Sequence, residues 1–443
     1  MKRLGSRWTL PAAIAAGLAA AAPVAAQTES ARPGSDSLRL GVLHQAAVAQ
    51  DPRQRQFQLL ASRTSLRLRN LSAERFPSIT AGAQAQYQSD VFEVPGPSGG
   101  AGFPSPTRDT YDSRISLEQP IVDPTIGPRR KVEAAALAES EARLRASLFG
   151  LREEVNEAFF SAALLNEREA IVAATIVELE QRLGEARARV REGASLPSDT
   201  AAIQATLLER QQDQSKIAAD RMAALNRLMV LTGQPIAPTE PVSLPDLAAA
   251  VLEARRGVAD VRARPEYLEF ARMRERLTMQ EDVAASALRP QLSAFGRVGY
   301  GQPGLNPVGD TFDTYYVAGL QVRWAPWNWG STRRDRQALE LEREIVATEE
   351  AAFSNRLTRA VQQDLAAMDR LDGALVLDDR IVTLREGVER ESRLRFQEGV
   401  ITASEYLDRS TETLQARLAR ATHMVEQVMA RARFLTTLGV EIR

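Results

Sequence analysis

Two stretches of this chain, 206 positions apart, read almost alike. Residues 189–198 are RVREGASLPS and residues 395–404 are RFQEGVITAS, each followed by an acid, Asp199 and Glu405. The register continues without a gap to Leu231-Thr232-Gly233 and Thr437-Leu438-Gly439. Upstream, at an offset of 213, Pro52 matches Pro265, Pro77 matches Pro290 and Tyr87 matches Tyr300. A duplicated unit this long excludes a solenoid, whose periods are a few tens of residues. Any fold proposed for one half must therefore serve both. The expected division is 1–26, 27–233 for the first repeat, 234–260 for a linker, and 261–443 for the second repeat.

The N-terminus suggests an exported chain. Lys2, Arg3 and Arg7 precede an apolar run from Leu10, and Val24-Ala25-Ala26 supplies small residues before Gln27. That is the pattern of a signal peptide over 1–26. Its removal would leave 53 basic side chains (56 less those three) against 57 acidic ones. Such a balance gives no support for nucleic-acid binding. Cysteine is absent, which excludes disulfides, thiolate metal sites and a lipid-anchored mature N-terminus. Residues 27–37 are expected to be disordered.

Helices dominate the pattern. Between residues 137 and 190 apolar side chains recur in steps of three, four or seven, the spacing of a coiled-coil seam. One helix over 128–191 would span ~95 Å at ~1.5 Å per residue. Gly193 ends it and Pro197 suits the first turn of a returning helix, 196–232. The second copy repeats the scheme with helices over 333–397 and 403–438, broken at Gly399. A shorter helix precedes each β region, at about 52–75 and 265–288.

Four segments alternate instead with period two. In 78–87, Ile79, Ala81, Ala83, Ala85 and Tyr87 share one face; 110–119, 291–300 and 316–324 alternate likewise. They form two expected hairpins, about 78–119 and 291–324. Ten residues of alternation suits a membrane-spanning strand, and it also suits a half-buried soluble hairpin. Beyond Trp8, the only tryptophans are Trp324, Trp327 and Trp329. Their position at a strand end is where aromatic residues meet a membrane interface. Four strands cannot close a barrel, and an open edge in lipid leaves backbone groups unsatisfied, so spanning strands require oligomerisation.

This order of elements resembles the TolC-like outer membrane factor family. The features that carry the resemblance are the duplicated helix–hairpin–long helix–helix unit and the strand ends LEQPIVD (117–123) and VRWAPWNWG (322–330). The glycine-containing tips at Gly193 and Gly399 carry it too. The resemblance implies a mainly α fold with a membrane β-barrel portion. Three chains would form a twelve-stranded barrel above a helical periplasmic barrel. It implies a passive outer-membrane exit duct for efflux or type I secretion, with no catalytic activity and no cofactor. The implied partners are a periplasmic adaptor, an inner-membrane transporter and outer-membrane lipid. The rival reading is a soluble periplasmic coiled-coil scaffold or adaptor.

The resemblance also implies site residues. Glu405 and Asp408, at i and i+3, match acids lining the family's periplasmic entrance, where an acidic ring would favour cations. Glu405 also completes a capping box with Thr402. Asp199 matches an acid that in some members bonds across to a tyrosine and an arginine, which here are Phe396 and Ile401. That side-chain latch is expected to be absent, and closure to rest on packing around Phe396 and Ile401. Gly193 and Gly399 read as left-handed helix ends, at tips where family adaptors dock. His44 and His423 lack ligand spacing.

Overall fold

The computed structural model describes residues 38–91, 106–258, 261–306 and 310–442. The expected signal peptide, the stretch 27–37 expected to be disordered and most of the first hairpin loop lie outside them. The chain opens with α1 (Leu40–Gln50) and α2 (Arg55–Ala73), then β1 (Ser78–Tyr87) and β2 (Asp109–Val122). Helices α3 (Ile126–Phe149), α4 (Leu151–Arg191) and α5 (Pro197–Thr232) complete the first half. After α6 (Ala248–Glu253) come α7 (Pro265–Ser286), β3 (Gln291–Gln302), β4 (Asp313–Arg323), α8 (Ser331–Gln397) and α9 (Ala403–Thr437). No described helix is long and apolar enough to cross a membrane.

Two helices differ from expectation. The single helix expected over 128–191 is interrupted at Gly150, between α3 and α4. Glycine lacks a Cβ and holds a helix poorly, and here the Glu153 N–H turns back to the Gly150 carbonyl. Around the break, the Arg152 and Arg264 guanidiniums stack on Phe149, 4.6 and 4.9 Å from its ring centre. The corresponding helix of the second half, α8, runs 67 residues unbroken, roughly 100 Å. The helix expected at 52–75 is preceded by α1, separated from α2 by a turn at Asp51-Pro52. There the Asp51 carboxylate accepts the Arg53 N–H at 2.7 Å.

The helices pack as two antiparallel pairs, α4 with α5 and α8 with α9, joined through α4 against α9. Helix α7 lies against α3 and α8, and α2 against α3. The main core gathers α1, α4, α5 and α9 around Phe159, Phe160, Leu225, Leu228 and Leu435. A polar thread crosses it. His44 Nε2 lies 2.8 Å from the Asn156 side-chain oxygen, and Asn156 donates to Thr436 Oγ1 at 3.2 Å. Burial holds the His44 imidazole down at about 4, so it stays neutral at pH 7.

The strands form one antiparallel sheet in the order β1-β2-β3-β4. The two hairpins are zipped together by β2 and β3, with Ile115 opposite Val298 and Leu117 opposite Gly296. Pro120, which has no N–H to give a ladder, sits where this register shifts near the end of β2. One face carries the row Ala81, Ile115, Val298, Tyr316, and all four residues are exposed. The other face is polar: Asp112 accepts from Tyr315 Oη at 2.5 Å and from Arg114 at 2.9 Å. Both outer strands, β1 and β4, keep an unpaired edge within the chain.

Candidate functional site: the paired helix tips

Helices α4 and α8 end in the same turn. Gly193 (φ 72°) and Gly399 (φ 76°) adopt the left-handed conformation, in which a Cβ is strained. Ala194 N–H bonds to the Arg189 carbonyl at 2.9 Å and Gly193 N–H to the Val190 carbonyl at 3.1 Å. The second tip repeats this with Val400 to Arg395 at 2.8 Å and Gly399 to Phe396 at 3.1 Å. This is the Schellman arrangement, which satisfies carbonyls a helix end leaves free.

The returning helices start differently. At α9, Thr402 Oγ1 accepts the Glu405 N–H at 3.3 Å and the Glu405 carboxylate accepts the Thr402 N–H at 3.0 Å. That is a reciprocal capping box. At α5 the capping residue is Leu196, which has no side-chain acceptor. Asp199 alone serves, accepting from Leu196 N–H at 3.2 Å and Ser195 Oγ at 3.0 Å.

The tips are bonded to each other. Asp199 Oδ1 accepts the Ala403 N–H, the first residue of α9, at 3.4 Å. Arg189 donates to the Phe396 carbonyl at 3.1 Å. Asp199 is thus tied across the tips without the tyrosine and arginine side chains of the family latch. Its partner is a backbone group, which side-chain identity at 396 and 401 does not reveal. Packing accompanies the bonds. The Phe396 and Tyr406 rings stack at 5.6 Å, 8° from parallel, and both are buried among Leu183, Ile203, Leu207 and Ala403, with Ile401 partly buried alongside.

Tyr406, which the sequence reading passed over, is the largest side chain fully buried here. Its hydroxyl lies beside the Arg182 guanidinium, the one cation that acts on it. Desolvation pushes the Tyr406 phenol up, so the group remains a neutral hydroxyl. The only sequence signal was an aromatic residue on the seam between Glu405 and Asp408.

Glu405 and Asp408 are both exposed. Glu405 is held by its cap, while among the described residues no hydrogen bond or ion pair reaches Asp408. Far from the tips, Trp324, Trp327 and Trp329 are 59, 73 and 81 % exposed. The Trp324 indole donates to the Leu288 carbonyl at 3.0 Å. His44 and His423 sit in separate networks, the latter 2.6 Å from Asp378. No cluster of metal-ligating side chains occurs among the described residues.

Residues 43–234 match the model of the outer membrane efflux protein family. No curated protein sequence matches the chain. Among solved structures, the CusC channel superposes with a TM-score of 0.66 at 14 % identity, over 91 % of this chain and 92 % of that one. The outer membrane protein VceC of Vibrio cholerae gives 0.64 at 14 %, over 91 and 97 %. The open-state MtrE outer membrane channel of Neisseria gonorrhoeae gives 0.61 at 17 %, over 91 and 90 %. The chain thus shares the fold of these outer membrane channels, and its residues 43–234 match the outer membrane efflux protein family.

Proposed function

We propose that this protein is a passive exit duct across the outer membrane, closed by three copies of the chain and serving a periplasmic adaptor and an inner-membrane transporter. The observation that carries the reading is the sheet. It presents an exposed apolar face, polar groups on the reverse, and two unpaired edges of ten or eleven residues. In lipid such edges cost several kcal/mol per unsatisfied group, and only closure with other copies removes them. Three copies would give twelve strands. The long helices agree with this. Leu377, Ile381, Leu384 and Val388 form an exposed apolar stripe on α8, which a second copy would cover.

In this reading the tips are the periplasmic entrance. The Asp199–Ala403 and Arg189–Phe396 bonds and the Phe396–Tyr406 stack hold each chain's two hairpins together there. Asp408 stands free as the acid of an entrance ring, Glu405 is first a cap, and the turns at Gly193 and Gly399 are the docking points for an adaptor. Membrane fractionation followed by planar-bilayer recording tests the reading. A detergent-extracted trimer with cation-selective channels is expected. A soluble monomer recovered without detergent would favour the scaffold reading instead.

A further inference from the structure

Each half starts its first post-strand helix with clustered cations: Arg129, Arg130 and Lys131 in α3, and Arg333, Arg334 and Arg336 in α8. A helix N-terminus is the positive end of the macrodipole, where cations are disfavoured. In α3 the arginines are answered internally. Arg129 pairs with Glu74 at 2.5 Å, and Arg130 bonds to Ser72. In α8 only Arg334 is engaged, donating to the Trp329 carbonyl at 3.1 Å. Arg333 and Arg336 are exposed and have no partner among the described residues. With Leu288, Thr332, Gln337 and Glu340 they line a cavity of about 340 Å³, beside the Arg343–Glu281 ion pair.

Immediately before this cavity, Trp329 holds a left-handed backbone (φ 55°), a strain of roughly 1–2 kcal/mol for a residue with a Cβ. Its indole remains 81 % exposed, and it meets Trp327 edge to face at 6.0 Å. Strain kept in order to expose an aromatic ring points to something outside the chain that the ring meets.

We propose that this collar docks the headgroup of an anionic phospholipid, with Arg333 and Arg336 on the phosphate and Trp327 and Trp329 at the boundary between headgroup and acyl chain. With Arg343 and Glu281 paired to each other, Arg333 and Arg336 outnumber the Glu340 carboxylate and leave a net positive lining for a phosphate, and amphipathic indoles suit that boundary. At the corresponding start of α3, Arg129 and Arg130 are already paired and no tryptophan precedes them. The proposal rests on the reading that the sheet spans a bilayer.

The test titrates the detergent-solubilised full chain with short-chain phosphatidylglycerol, short-chain phosphatidylcholine or inorganic phosphate. Fluorescence reports on the collar, because every tryptophan beyond Trp8 lies there. Phosphatidylglycerol should give a saturable change that the other two do not. The Arg333→Gln/Arg336→Gln variant should bind it roughly thirtyfold more weakly, from about 1 kcal/mol per cation at a membrane surface. Arg356→Gln/Arg359→Gln, further along α8, should bind as the wild type does. Equal binding of the two lipids, saturation by phosphate alone, or an unweakened Arg333/Arg336 variant would each overturn the proposal. The same preparation is recorded in planar bilayers. Channels without lipid preference defeat the collar alone, whereas a protein that neither partitions into membranes nor conducts defeats the duct reading beneath it.

Discussion

At the first tip the groups that reach across are charged side chains, Arg189 and Asp199. At the second, what they reach is backbone, the Phe396 carbonyl and the Ala403 N–H. The turns are the same, down to the glycine and its two hydrogen bonds. The second copy instead supplies the aromatic pair Phe396 and Tyr406 and a cap that is complete without help. Duplication thus kept the geometry and divided the chemistry. One tip became the polar arm and the other the apolar socket, and in the proposed channel their contact is what an opening signal must break.

The widest separation between the tips should come from their matched core positions. Phe396→Ala removes a buried ring and is expected to destabilise the protein by about 3–5 kcal/mol. Val190→Ala at the corresponding half-buried site should stay near 1 kcal/mol. Thermal unfolding measures both, and equal losses would erase the asymmetry. Single-channel conductance should rise with Phe396→Ala.

Acid should act elsewhere. The folded-state His44 value near 4 lies below the ordinary histidine value of 6.5. The unfolded chain therefore binds the proton more readily, and stability present above pH 6.5 is lost as pH falls towards 4. The loss is at most roughly 3 kcal/mol. Hydrogen exchange should then find the core around α1 loosening before the tips. Tips that loosen first would mean their contact is weaker than the stack implies.

Asp199→Ala should remove about 1–2 kcal/mol and raise conductance, because the carboxylate serves both its own helix and α9. Glu405→Ala should destabilise by about 1 kcal/mol and leave conductance nearer the wild type, since its bonds stay within its own cap. A conductance ranking with Glu405 above Asp199 would reverse the division of labour. Gly193→Ala and Gly399→Ala should each destabilise by about 1 kcal/mol, and by the same amount, since a Cβ meets nothing within 4 Å at either site. The smallest effect on stability belongs to Asp408→Asn, within about 0.5 kcal/mol. Reversal potentials should nevertheless show weaker cation selectivity.

Much of this was legible because it is local. A seam recurring at 3.5 residues declares a long helix wherever it packs, and ten residues of alternation declare a strand. A glycine closing a helix before a proline-led or threonine-capped one declares a turn. The interruption at Gly150 was missed because the hydrophobic period runs through it, and a period records which face is buried rather than whether the backbone ladder is continuous. Helix α1 was missed because its apolar residues surround it on several sides, as suits an element sunk in the core around Phe159 and Phe160.

The sequence by itself determined the duplication, the helices and strands, the two glycine turns and the positions of the acids and tryptophans, because each depends on residues a few places apart. Only the tertiary structure decided that β2 zips to β3, that Asp199 finds the Ala403 N–H, that Tyr406 is buried against Phe396, and that among the described residues Arg333 and Arg336 stand unanswered while Arg129 does not. Those outcomes depend on backbone groups, which carry no residue identity, and on partners tens to hundreds of positions away. No local pattern encodes which of many equivalent N–H groups or carboxylates folding will bring within hydrogen-bond distance.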